Sequence, residues 1–123
     1  MSLLGATEIR ELAAKLDLNP SKGLGQNFVI DGNVCQRIVR QVSISSDDVA
    51  LEIGPGLGSL TLAILETGAP LIAVEIDARL AKQLPETVAI HNPNADLIVV
   101  NEDALNVKEL PKAPTVLVAN LPY

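Results

Sequence analysis

Four short runs dominate the second half of the chain, and little that is polar interrupts them: Val49 to Ile53, Leu71 to Glu75, Leu97 to Asn101 and Thr115 to Ala119. Each has the length of a strand, and none alternates apolar with polar residues as a half-solvated strand does. Strands that read apolar on both faces belong to parallel sheets lying between helix layers. Segments of helical pattern separate them, Leu60 to Thr67 and Asp77 to Leu84, with one further turn expected within Asn106 to Leu110. Right-handed crossovers then give an α/β fold, a doubly wound parallel sheet expected in the order 3-2-1-4 and ending at its fourth strand.

The first half reads differently. Thr7 is a candidate N-cap, followed by Glu8 near the positive helix end and by Ile9, Leu12, Ala13 and Leu16 at helical spacing. Asn19-Pro20 stops that helix, because proline disfavours the helical region for the residue before it. A glycine-containing loop, Ser21 to Ile30, leads to a second helix capped by Asp31, with Val34, Ile38, Val39 and Val42 on one face. The chain therefore divides into a helical arm, residues 1–46, and a body, residues 47–123. Charge divides with it. Residues 1–46 carry five cations against four acids, whereas residues 47–123 carry four against eleven. An acidic body repels phosphate backbones, so nucleic-acid affinity would have to come from the arm or from elsewhere.

Composition narrows the remaining classes. With 2% aromatic residues the core must be aliphatic, and the two aromatics, Phe28 and Tyr123, both fall in motifs. Phe28 could cover a ligand or anchor the arm. One cysteine, Cys35, excludes an internal disulfide framework and a Cys-based zinc site; no metal is expected, and a reducing cytoplasm fits. Cys35 reads as a small buried residue and His91, beside Asn92-Pro93, as a loop residue without a role. No apolar run approaches the roughly 18 to 20 residues that span a bilayer, and no signal peptide precedes the first helix, so no membrane partner is expected.

The sharpest local signal runs from the first strand into the following helix, Leu51-Glu-Ile-Gly54-Pro-Gly56-Leu-Gly58-Ser-Leu-Thr61. Glycines here permit a sharp turn and the close approach of a ligand to the backbone. The spacing is not that of the dinucleotide fingerprint, since position 59 is Ser. It suits a nucleoside lying across the loop better than a pyrophosphate on the helix end; a tight turn without ligand is the plain alternative. Glu75 ends the second strand, where an acid can accept hydrogen bonds from both ribose hydroxyls; an exposed acid at a strand end is the alternative. Asp77 reads as the cap of the next helix. Asp103, after the third strand, could accept from an adenine amino group or merely shape a turn. Glu52, Glu102 and Asp96 read as structural or solvated acids. Asn120-Leu-Pro122-Tyr123 carries what methylation of an exocyclic adenine amine needs: two acceptors, the Asn120 side chain and the Pro122 carbonyl, for the amine hydrogens, and Tyr123 to stack on an unpaired base; a proline-terminated strand with a chance aromatic is the plain alternative. Such catalysis is positioning and dipole complementarity, without metal or covalent intermediate.

Together these motifs resemble the ribosomal RNA adenine dimethyltransferase family, in its small-subunit (16S) branch. Lys22-Gly-Leu-Gly-Gln-Asn-Phe28 resembles its N-terminal motif, Glu52 to Gly58 its glycine loop, and Val74-Glu-Ile-Asp77 its ribose motif. Glu102-Asp-Ala104 resembles its adenine-contacting motif, and Asn120 to Tyr123 its amine motif. Gly23 departs from the pattern, where a second basic residue is common. The resemblance implies a Rossmann-like class I methyltransferase using S-adenosylmethionine, with Asn27, Val29, Gly54, Gly56, Glu75, Asp103 and Asn120 at the donor and Asn120, Pro122 and Tyr123 as the catalytic set. It implies dimethylation of two adjacent adenosines near the 3′ end of 16S RNA in the immature small subunit. A large-subunit methyltransferase of the macrolide-resistance type, a non-catalytic assembly factor and a dehydrogenase are the competing readings. Because the family's chains continue past this motif, a piece of this extent is expected to be inactive alone. It is also expected to self-associate through an exposed edge strand at 115–119.

Overall fold

The computed structural model describes residues 2–17 and 32–119. Four helices, α1 (Ala6–Lys15), α2 (Gly32–Gln41), α3 (Ser59–Leu65) and α4 (Ala78–His91), accompany four strands, β1 (Ala50–Ile53), β2 (Leu71–Val74), β3 (Leu97–Val100) and β4 (Val116–Ala119). All neighbouring strands pair in parallel, in the order β3-β2-β1-β4. Each predicted strand forms within a residue of its expected bounds.

The register assigns the two faces. Ala50 and Glu52 share a face with Leu71, Ala73, Leu97, Val99, Val116 and Val118. That face meets one continuous aliphatic core, to which Ile9 and Ala13 of α1, Cys35 and Val39 of α2, Leu60, Leu62, Ala63, Ile64 and Leu65 of α3 and Leu80, Leu84 and Val88 of α4 contribute. Helix α3 is buried along its whole length, between α2 and the sheet. Leu51, Ile53 and Val74 lie on the opposite face. Among the described residues no α-helix covers it; the connection from β3 to β4 does so instead, and Ala104, Val107, Lys108 and Leu110 close a cavity of about 190 Å³ against the sheet. The chain thus winds from β1 to β3 over one face and returns to β4 over the other. The sheet is doubly wound, with its switch point between β1 and β4.

Departures from expectation have local causes. Helix α1 is capped two residues ahead of Thr7: Gly5 is the N-cap, its carbonyl accepting from Ile9 N–H at 3.0 Å, with no side-chain cap. Helix α4 runs past Leu84 to His91 although Pro85 removes one backbone donor. Pro85 is on the solvent side, while Leu80, Leu84 and Val88 recur every fourth residue against the core and hold the helix together. The turn expected at 106–110 forms at Ala104–Asn106 as a 3-10 turn. His91 is no loop residue. It ends α4, and its Nε2 meets Glu8 Oε2 at 2.7 Å while Nδ1 meets the Ser2 hydroxyl, fastening the N-terminus to the helix end. Cys35 is buried, as expected, whereas Asp31 and Phe28 lie outside the described residues. No described helix is long and apolar enough to cross a membrane.

Candidate functional site

Strand β1 delivers the chain to Gly54 at the carboxyl end of the sheet. Gly54, Gly56 and Gly58 all take positive φ (72°, 59° and 104°), a backbone path that L side chains resist. At Gly58 space adds to the constraint, since a Cβ would stand 2.8 Å from Leu84 Cδ1. The loop is tied to the neighbouring strand by Gly54 N–H on the Val74 carbonyl (3.0 Å), and Gly58 N–H closes the turn on the Pro55 carbonyl (3.1 Å).

Glu75 stands directly across from this loop. Its Oε1 accepts the Gly56 N–H at 3.2 Å and its Oε2 the Asp77 N–H at 3.0 Å. The acid at the tip of β2 and the glycine bend therefore share one crevice at the switch point, where open α/β sheets bind ligands. Glu75 is 5% exposed, and burial raises its pKa above the ordinary glutamate value against the pull of the Asp77 and Gly56 N–H groups. Each oxygen spends one acceptor site on the backbone and keeps another, so the carboxylate can still take two hydroxyls. Asp77 caps α4 as expected, its Oδ1 accepting from Arg79 N–H (2.8 Å) and Leu80 N–H (3.3 Å). Asp103 is half-buried and caps the 3-10 turn through Leu105 N–H at 2.9 Å, which leaves its second oxygen for a ligand. Asn27, Val29, Asn120, Pro122 and Tyr123 lie outside the described residues.

Two side chains contribute more than the sequence suggested. Asn101 Nδ2 donates to the Glu75 carbonyl (2.9 Å) and the Ile76 carbonyl (3.3 Å), pinning the backbone that presents the acid. The signal was available: pairing of Val74 with Val100 sets residue 101 beside residue 75. Glu52 is fully buried on the helix-facing side of β1 rather than solvated. Its Oε1 accepts the Thr61 hydroxyl, while Oε2 has no hydrogen-bond partner among the described residues. Burial pushes its carboxyl up to about 7, against the Thr61 hydrogen bond and with a smaller push from Glu75. Glu102 and Asp96 are exposed or nearly so, and Asp96 pairs with Lys112 at 3.2 Å, as solvated acids do.

The family profile described as "Ribosomal RNA adenine dimethylase" matches residues 18–123. The chain belongs to the ribosomal RNA adenine dimethylase family. Among its relatives, a "Ribosomal RNA small subunit methyltransferase A" from Paenarthrobacter aurescens is 54% identical over 123 residues, which is 98% of this chain and 42% of that protein. This member of the dimethylase family thus spans less than half the length of that relative. Solved structures agree on the architecture. A dimethyladenosine transferase from Plasmodium falciparum superposes with a TM-score of 0.65 at 31% identity, over 76% of this chain and 33% of the other. The 23S rRNA methyltransferase ErmE gives 0.64 at 35%, over 76% and 37%. The sheet order found here is accordingly that of a class I methyltransferase.

Proposed function

We propose that this chain is the donor-binding part of an S-adenosylmethionine-dependent enzyme that dimethylates the N6 amines of two adjacent adenosines near the 3′ end of 16S RNA, in the immature small subunit. The observation that carries the reading is the Glu75 carboxylate facing the Gly56 N–H across one crevice. Bound there, the donor supplies an electrophilic sulfonium methyl group. Glu75 holds the ribose hydroxyls, the Gly54–Gly58 bend leaves room for the nucleoside, and Asp103 accepts from the adenine amine. Asn27 and Val29 of the arm complete the donor site, so that residues 1–46 and 47–123 serve one ligand. Asn120 and the Pro122 carbonyl take the hydrogens of the target amine and favour a pyramidal nitrogen, while Tyr123 stacks on the base. The single buried cysteine suits a cytoplasmic setting.

Likeness to a 23S methyltransferase supports a second substrate reading, whereas the relative of highest identity reported above carries the small-subunit name. The position of the methylated nucleotide, produced by the protein of full family length, separates the two. Calorimetric titration of this chain with S-adenosylmethionine and with NAD tests the donor. Heat of binding is expected for the first alone, and preferential NAD binding would instead make the crevice a dehydrogenase site.

The reading extends to self-association. Among the described residues strand β4 is an edge strand, and Leu117 on it is 61% exposed. Unpaired edges template pairing with a second chain. Sedimentation on the order of tens of micromolar should show a dimer or larger species, and Leu117→Lys should shift it toward monomer. A wild-type monomer there would remove this part of the proposal.

A further inference from the structure

Arg79 stands one step behind the crevice, with its side chain half-exposed, and joins two ends of the fold. Its Nη1 donates to the Leu16 carbonyl at 2.9 Å and, more weakly, to the Asp17 carbonyl at 3.5 Å. These carbonyls close α1, where a cation is favoured by the helix dipole. Its Nη2 meets Asp77 Oδ2 at 3.0 Å and its Nε meets Oδ1 at 3.3 Å. Asp77 in turn directs its own N–H onto Glu75 Oε2, and Glu75 Oε1 takes the Gly56 N–H. An unbroken path of hydrogen bonds therefore runs from the end of α1 to the glycine loop. Helix α1 lies antiparallel along α4, with Glu8 at His91, Lys15 at Gln83 (3.0 Å) and Leu16 at Arg79, so Arg79 is the last fastening before the crevice.

We infer that Arg79 is a positioning residue for the donor: by clamping Asp77 and the α1 carbonyls together it aims the Asp77 N–H at Glu75 and so fixes the acid that holds the ribose. The inference rests on the crevice being the donor site. The fork geometry is essential to it. Arginine can grip a carboxylate with two nitrogens while a third reaches a carbonyl; lysine has the charge without the fork. The Asp77 carboxyl, held below its usual range first of all by the Arg79 hydrogen bond, remains the charged partner the clamp needs.

Two measurements test it. The dissociation constant of S-adenosylhomocysteine is measured for wild type, Arg79→Ala, Arg79→Lys, Glu75→Ala and the Arg79→Ala/Glu75→Ala double variant. Arg79→Ala should weaken binding about three- to tenfold, with Arg79→Lys restoring only part of it. In the Glu75→Ala background the same change should alter the constant less than about twofold, because its effect passes through Glu75. Additive losses, or unchanged affinity with a lowered melting temperature, would overturn the inference. The second measurement is amide exchange in the ligand-free chain. Arg79→Ala should speed exchange at Asp77 and Gly56 while Gly54, bonded to Val74, stays protected. Equal acceleration at all three would mean general loosening and would also overturn it. If wild type binds no S-adenosylhomocysteine, the donor reading fails, and amide exchange still decides whether Arg79 positions Glu75.

Discussion

Glu75→Ala should weaken S-adenosylmethionine binding by about 10- to 150-fold, the equivalent of roughly 1.5 to 3 kcal/mol for hydrogen bonds to a charged group. The expectation has two sources. The carboxylate offers the acceptors that ribose hydroxyls need, and it also holds the Gly56 and Asp77 N–H groups in place. Alanine removes both at once. Glu75→Gln is no gentler, because its amide can accept at one oxygen only and turns an N–H toward a second backbone N–H. Both variants should therefore bind poorly in calorimetry, with glutamine close to alanine. A variant that keeps wild-type affinity and wild-type melting temperature would remove Glu75 from the donor site and leave the crevice without its ribose acceptor.

The strands were legible because a parallel sheet writes its strands as apolar runs, and the loop because three glycines in five residues have few other uses. The switch point followed from strand order alone. What the sequence concealed was decided by which side of an element faces water. Pro85 reads as a helix stop, yet on the outer side of α4 it removes one hydrogen bond and leaves Leu80, Leu84 and Val88 packed. Thr7 reads as a cap, but Gly5 in an extended conformation lets the helix start two residues earlier. The apolar character of β4 anticipated cover on both faces; Leu117 is instead exposed.

In the site, residues with one chemical purpose were easier to read than residues with two. Glu75 and the glycines announce themselves through position in the strand–loop–helix unit. Asp103 acts as a turn cap in this structure, and only a free oxygen remains to support its second role. Asn101 is ordinary until register places it against Glu75. Arg79 is harder still, since its reach to Leu16 crosses 63 residues of sequence and no local pattern encodes it. Glu52 is the inverse case: an acid inside an apolar run signals burial, and Glu52 is fully buried.

That burial makes the stability of the chain depend on pH through Glu52, alongside the shifts of Glu75 and Asp77. Glu52 has a folded-state pKa of about 7 against 4.5 for the free side chain, raised first by desolvation. Between these values the folded chain holds a proton that the unfolded chain has released, so stability falls as pH rises through the window. Above pH 7 the loss is complete, at about 3 kcal/mol. Glu52→Gln has nothing to titrate, keeps an acceptor for Thr61 and imitates the protonated acid. Between pH 5 and pH 8 its unfolding free energy should fall less than that of wild type, by about 2 to 3 kcal/mol, in urea titrations of both proteins. Any constant effect of the buried amide cancels in that difference. Parallel curves for the two proteins would mean that Glu52 titrates alike in the folded and unfolded chain, and that its burial does not hold the proton. The acid sits two residues before Gly54 and is bonded to α3 through Thr61, so its destabilising charge lies where β1 hands over to the loop. Strained or unsatisfied groups persist at such places when the surrounding structure holds them, and a loop that must present bare backbone to a ligand is one.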